Sequence, residues 1–257
     1  MSVKKTVAEV EQHKSDSLHD LDVLIQTMIS SGDEKELSRA DKLCYWLSDW
    51  SKFLDYEHSF TPTSLKKYKH GDIVKVHLGF NVGSEEGGLH YAVVAEKNNS
   101  LNSPVVTVIP LTSIKEKTDL TKLRPGTVYL GQVIYASLIV KANTIKQSLK
   151  KEVESLKSIL EKLQTSPDPS AEDTLVEVER KLEAVERQLP GVDAIIKEIG
   201  KMKAGSLALV NQMTTISKIR IRDPKSSSGV LNGIKLPDVA LNAIDTEIIK
   251  MFTNKKS

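Results

Sequence analysis

The fold class turns on GDIVKVHLGFNVGSEEGGLHYAVVAEKN, which runs from Gly71 to Asn98. Its two ends, GDIVKVHLG and YAVVAEKN, are short, rich in Val and Ile, and bounded by Gly and Asn, which is the pattern of β-strands joined by loops. Between them NVGSEEGGLH holds three glycines and two acids. That composition predicts a mobile, exposed loop between the first two strands. Working outward, PVVTVIPLTS at Pro104 to Ser113 supplies a third strand. TVYLGQVI at Thr127 to Ile134 supplies a fourth, entered through Arg124-Pro125-Gly126.

On either side of this β-rich stretch the period changes to that of amphipathic helices. Upstream, Leu18, Leu21, Leu24/Ile25 and Met28/Ile29, then Leu43, Trp46/Leu47, Trp50 and Phe53/Leu54, recur at three and four residues. Ser30-Ser31-Gly32-Asp33 separates two helices, the second carrying Trp46 and Trp50 on the face expected to pack. Downstream, Ile145, Leu149, Val153, Leu156, Leu160 and Leu163 form one heptad-like seam, and Leu175, Val178, Leu182, Val185 and Leu189 a second. TSPDPS at Thr165 to Ser170 cannot continue a helix, because its two prolines lack donors and bias their predecessors away from helical angles. The two seams therefore predict an antiparallel hairpin with arms of about 30 Å. Pro190-Gly191 is expected to kink or end the second arm, with Val192 to Ile199 a short helical return and the charged flanks solvated.

GSLALVNQMTTISKIRI at Gly205 to Ile221 returns to strand character, followed by the loop DPKSSSG and a C-terminal amphipathic helix over Pro237 to Phe252. The simplest topology makes Thr127–Ile134 and Gly205–Gln212 neighbouring antiparallel strands whose connection has grown into the helical hairpin. The expected organisation is an N-terminal helical arm over 1–66, a β-barrel in two parts over 67–140 and 204–257, and the inserted hairpin over 141–203.

Composition removes several function classes. With 36 Lys and Arg against 34 Asp and Glu, the net charge is +2, and no global field marks a polyanion binder. Cys44 is the only cysteine, which excludes an intrachain disulfide framework and a multi-thiolate zinc site and suits a cytoplasmic protein. Apolar runs such as Val105 to Leu111 fall far short of the roughly 18 residues of a membrane span, and the acidic N-terminal stretch is unlike a signal peptide. No membrane association is expected. GSEEGG lacks the spacing and the following Lys-Ser/Thr of a phosphate-binding loop, and there is no nucleophile elbow. His70, His77 and His90 do not have metal-ligand spacing, so neither metal nor other cofactor is expected.

Several ordered segments together carry a resemblance. GDIVKVHLGFNVGSEEGGLHYAVVAEKN resembles the first strand, glycine loop and second strand of the PemK/MazF family of toxin endoribonucleases from type II toxin–antitoxin systems. VVTVIPLTS is similar to that family's third strand with its terminal Thr-Ser, SLALVNQMTTISKIRI to its Gln-x-x-Thr-Ile-x-Lys segment, and LPDVALNAIDTEIIKMF to its closing helix. The likeness covers roughly 69–134 and 203–252. The N-terminal arm and the helical hairpin lie outside it.

The resemblance implies an α+β protein built on a small SH3-like β-barrel, a homodimer that cuts single-stranded RNA without a metal and is neutralised by a cognate antitoxin. A base removes the ribose 2′-hydroxyl proton, that oxygen attacks phosphorus, an acid protonates the leaving 5′ oxygen, and cationic donors stabilise the phosphorane. Carried over residue by residue, the catalytic positions are His90, Thr112 and Ser113. The RNA-binding positions are Ser84, Glu85, Lys75, Gln212, Thr215 and Lys218.

Read without the resemblance, Thr and Ser at a strand end are ordinary turn formers, Glu85 and Glu86 are loop acids, and Gln212 and Thr215 satisfy neighbouring strands. Two positions depart from the family pattern. The loop ends in His90-Tyr91 where the family has Arg-Pro, and Thr214 stands where Arg is common. Both changes remove permanent charge. An imidazole still titrates near neutrality, and Lys75, His77, Arg124, Lys218 and Arg220 are nearby cations that compensate if they share its face. The competing reading is a PemK/MazF-like protein that binds rather than cuts, or a toxin acting on a protein target such as gyrase.

Overall fold

The computed structural model describes residues 5–165, 171–202 and 205–254. They form two compact units, one made of the N-terminal residues to 59 together with 79–88, the other of 60–78 and the remainder from 89 onward.

In the first unit two 24-residue helices, α1 (Val7–Ser30) and α2 (Glu34–Glu57), follow the expected periodicity. A capping box starts α1: the Glu9 N–H donates to the Thr6 hydroxyl at 3.3 Å, and the Thr6 N–H donates to the Glu9 carboxylate at 2.7 Å. Asp33 caps α2 by accepting from the Lys35 N–H at 2.8 Å. Between them Gly32 has φ +70°, a backbone conformation that only glycine adopts without strain. Trp46 packs edge-tilted on Phe53 at 6.1 Å between centroids, but Trp50 stays 48% exposed, so only one of the two tryptophans is packing within its unit. The glycine-rich connection joins this unit. Its ends are tied by the Gly88 N–H to the Gly79 carbonyl at 2.6 Å, and the Arg39 guanidinium lies 5.9 Å from the Phe80 ring.

The second unit is a seven-stranded antiparallel sheet with helices. Its strands are β1 (Ile73–His77), β2 (Leu89–Val94), β3 (Val105–Ser113), β4 (Thr127–Gly131), β5 (Ser206–Leu209), β6 (Thr214–Ser217) and β7 (Ile221–Asp223). The path runs β4-β5-β3-β2-β1-β7, with β6 also on β3. Nine-residue β3 organises it. One edge pairs with β2 through Val108–Pro110, while the other pairs with β6 through Val105–Val108 and with β5 through Leu111–Ser113. Pro110, which has no N–H to donate to a ladder, stands where β3 leaves one partner for the other. The path ends at β4 and β7 without closing, so the architecture is α+β with an open antiparallel sheet where a closed barrel was expected.

Alternate residues of the central strands enter two cores. Ile73, Val93, Ile109 and Leu111 point to a face covered by the C-terminal helix α5 (Asp238–Phe252) and by the base of the inserted helices, while Val74, Val76, Ala92, Val94, Val106 and Val108 pack with Tyr68, Ile216 and Ile221 on the other. Burial on both faces is why these strands read as continuous apolar runs instead of alternating.

β4 and β5 are antiparallel neighbours, Thr127 opposite Leu209 and Val128 opposite Ala208, with the helical insertion as their connection, as the sequence predicts. The insertion differs in detail. Helix α3 spans Val133–Thr165, so Val133 and Ile134 are helical rather than the end of a strand. The strand stops at Gly131, whose φ is +60°, and Ile134 and Leu138, four apart on the new helix, enter the core. Helix α4 (Ala171–Ile199) runs through Pro190 without ending there. At 1.5 Å per residue the two arms are about 50 and 44 Å long, well beyond the 30 Å that the leucine seams alone suggest. The turn assigned to Thr165–Ser170 lies, from residue 166, outside the described residues.

Candidate functional site

His90 sits on β2 opposite Val76 of β1, and its Nδ1 is 3.0 Å from the Leu111 carbonyl of β3. A carbonyl only accepts, so Nδ1 carries a proton and the lone pair of the neutral ring is on Nε2. The β2–β3 register runs Val94 to Val108 through Ala92 to Pro110. Continued by two residues it places His90 opposite Thr112, on the same face. Thr112 is half-buried opposite Leu207, and Ser113 is exposed opposite Ser206. The fold thus gathers His90, Thr112 and Ser113 where β2 begins and β3 ends.

A permanent cation lies across β1 from β2, just before β7. The half-buried Arg220 donates from Nε to the His77 carbonyl at 2.8 Å, and His77 pairs with Leu89, the residue before His90. Burial lowers the guanidinium pKa, but Arg remains charged at any physiological pH. Arg124, another cation singled out in the sequence, is exposed at the entrance to β4.

The remaining sequence-derived positions are dispersed. Lys75 alternates with Val74 and Val76 and so lies on the face opposite His90. There its ammonium is paired with the Glu198 carboxylate of α4 and lies 5.2 Å from the Tyr91 ring. Glu198 also accepts from the Tyr91 hydroxyl at 2.5 Å, and Lys201 is 3.5 Å away. Burial alone would raise the Glu198 pKa; the hydrogen bonds from Lys75 and Tyr91, with the Lys75 charge, bring it below its ordinary value. The Tyr91 phenol is pushed upward, by burial first and then by its bond to Glu198.

Lys218 is buried among the second core, donating to the Ser100 carbonyl at 2.9 Å, with its charge disfavoured by burial. Thr215 exchanges a hydrogen bond with Thr107 at 2.9 Å. Thr107 is five residues before Thr112 on β3, about 17 Å at strand rise. Gln212 is half-buried in the 3-10 turn between β5 and β6. Ser84 and Glu85 are exposed in the 79–88 connection of the other unit.

Glu198 and Tyr91 are the partners that sequence reasoning missed. Glu198 reads as one more charged residue of the short helical return over Val192 to Ile199, and only the docking of α4 on β1 and β2 converts it to a buried counter-ion. Among the described residues there is no group of three or more His, Cys, Asp and Glu placed to hold a metal, and no helix is long and apolar enough to cross a membrane.

The geometry offers a base or acid at His90, hydroxyl donors at Thr112 and Ser113, and a fixed cation at Arg220. Residues 69–166, from just before β1 through β4 and along α3, match the family of PemK-like, MazF-like toxins of type II toxin–antitoxin systems. The match spans well under half of the 257 residues. No curated protein sequence matches the chain.

Proposed function

We propose that this chain, whose residues 69–166 match the PemK-like, MazF-like toxin family, is a member of that family and a metal-independent endoribonuclease that cuts single-stranded RNA. It acts in the cytoplasm as a homodimer and is neutralised by a cognate antitoxin. The observation that carries the reading is His90 held by its Nδ1–H on the Leu111 carbonyl beside Thr112. With that tautomer set, Nε2 takes the 2′-hydroxyl proton as the oxygen attacks phosphorus. The Thr112 and Ser113 hydroxyls donate to the non-bridging oxygens, and Arg220 supplies the charge that the family's usual arginine provides at the end of the glycine loop.

The test is incubation of the purified chain with mixed RNA in EDTA, followed by mapping of the new ends. Cleavage with 5′-hydroxyl ends, blocked by 2′-deoxyribose at the cut, is expected. His90→Ala should lower the rate by about 10²–10⁴-fold. His90→Arg should lose less, because Arg restores the charge and a fork of donors. Equal rates in all three proteins would remove His90 from the mechanism, and loss of cleavage in EDTA would remove the metal-free route.

A second reading is favoured by the engagement of Lys75 with Glu198 and the burial of Lys218, which take two cations away from any RNA surface. In it the chain is a toxin that binds a protein target such as gyrase without cutting RNA. Absence of any RNA cut under conditions where the chain arrests growth would select it.

A further inference from the structure

Leu175, Leu182, Leu189 and Ile196 repeat every seven residues along α4, yet they are 51%, 48%, 49% and 56% exposed. They are not the seam that packs on α3. That seam is marked by the buried Val185 of α4, 9% exposed, and the buried Leu156 of α3, and its register is set by Lys181 Nζ on the Ser155 hydroxyl at 3.2 Å and Gln188 on Glu152 at 3.4 Å. Helix α3 carries a matching second stripe, Val153 and Leu160, also seven apart, at 39% and 43% exposure.

Both stripes fall on the same side of the hairpin. At about 100° per residue, Val153 and Leu160 lie about 40–60° round α3 from Leu156, and Leu182 and Leu189 the same 40–60° round α4 from Val185. The rotation has the same sense in each helix, and equal rotations in antiparallel helices expose one common face. A strict seven-residue repeat drifts off a lone 3.6-period helix and stays in line only when helices supercoil about one another. The stripe remains open to Ile196, three residues before α4 ends, so the sheet does not cover it.

The rims of this face carry opposite charge. Exposed Lys150 and Lys157 flank the α3 stripe, whose seven-residue line exposed Lys146 continues, and exposed Glu179, Glu186 and Asp193 flank the α4 stripe, each of these acids four residues after an exposed apolar one. The register of the hairpin places Lys157, Lys150 and Lys146 at the heights of Glu179, Glu186 and Asp193. Within one chain Lys150 and Lys157 stand on the opposite rim from the acids.

We propose that this face is the contact for a second copy of the chain, forming an antiparallel four-helix bundle about a two-fold axis parallel to the hairpin. Such an axis preserves height. It therefore lays α3 on α4 of the partner subunit and brings Lys157, Lys150 and Lys146 level with the partner's Glu179, the partner's Glu186 and the partner's Asp193. A two-fold axis across the hairpin would set acid on acid and base on base, so the charge pattern selects the first. The face is about 31 Å long and two helices wide, roughly 600 Å² in projection, close to the ~800 Å² per partner of a stable interface. The contact is independent of the RNA chemistry and of any pairing through the sheet.

The test uses the full chain with Cys44→Ser and a short bifunctional maleimide. Lys150→Cys/Glu186→Cys together should give a covalent dimer, and either single variant should not, because like positions lie on opposite rims. Lys150→Glu/Lys157→Glu added to a Val153→Cys/Leu182→Cys pair should cut the crosslinking yield at limiting concentration about tenfold, and Glu179→Lys/Glu186→Lys added to both should restore it. No covalent dimer, equal yields from the single variants, or no rescue by the double charge swap would each overturn the assignment, whether or not the chain cuts RNA.

Discussion

Replacing Lys141 to Lys203 by a two-residue turn joins β4 to β5 without deleting a strand, and from the sequence alone the sheet is expected to survive it. The packing predicts otherwise. The excision removes Ile195, 2% exposed in the sheet core, the half-buried Ile145, Ile199 and Met202 that pack against it, and Lys141, whose ammonium donates to the carbonyls of Gly229, Val230 and Asn232 at 3.1, 2.7 and 2.8 Å. At about 1.5–3 kcal/mol for a fully buried large aliphatic side chain and roughly half that for the others, the loss is about 4–7 kcal/mol. That is comparable with the entire stability of a typical domain, ~5–15 kcal/mol. Lys75 and Tyr91 lose Glu198 as well, though removal of the helix returns them to water and softens that cost. A shorter excision, 150–188 closed by a four-residue Gly/Asn loop, keeps every one of these contacts, because Leu156 and Val185 belong to neither sheet core. Thermal melting followed by circular dichroism should place the long excision about 10–25 °C below the short one, or show it unfolded. Melting temperatures within about 5 °C of each other would refute the reasoning and restore the hairpin as decoration.

Glu198→Gln should destabilise by about 3 kcal/mol in denaturant titrations, since it leaves the Lys75 ammonium buried without its counter-ion. Because the Glu198 carboxyl titrates below its ordinary value, its contribution is complete above the usual carboxylate range and is lost as pH falls through the depressed folded value. The stability difference between wild type and Glu198→Gln should therefore shrink on acidification below about pH 4, and a difference constant down to pH 2 would show that the charge contributes nothing. Lys141→Met should cost about 2–3 kcal/mol, as three backbone carbonyls lose their donor, and an unchanged midpoint would show that water replaces it.

Local pattern was sufficient wherever a segment's partners are its own neighbours in sequence. The capped helices α1 and α2, the helical character of α3 and α4, the Val-rich strands and the amphipathic α5 follow from period, caps and punctuation, which act over a few residues; which apolar residues of α3 and α4 pack on each other does not, since Leu175, Leu182 and Leu189 of the expected seam stay about half exposed. The pairing of β4 with β5 does follow, because a helical hairpin returns the chain to where it left. The grouping of His90, Thr112 and Ser113 was legible through the likeness of ordered segments, not through spacing. Other features depend on what meets across the fold. Val133 and Ile134 are helical because Ile134 and Leu138 reach a core contributed largely by distant strands. Lys75 is an internal ion-pair partner and not a surface cation because β1 turns that residue toward α4, 123 positions away. Lys218 is interior because Ser100 offers it a carbonyl and Tyr68 a ring. A lysine in a sequence carries a charge but no address. Which face of the sheet it occupies, and whether an acid waits there, is settled only when strands and helices far apart in the chain pack together.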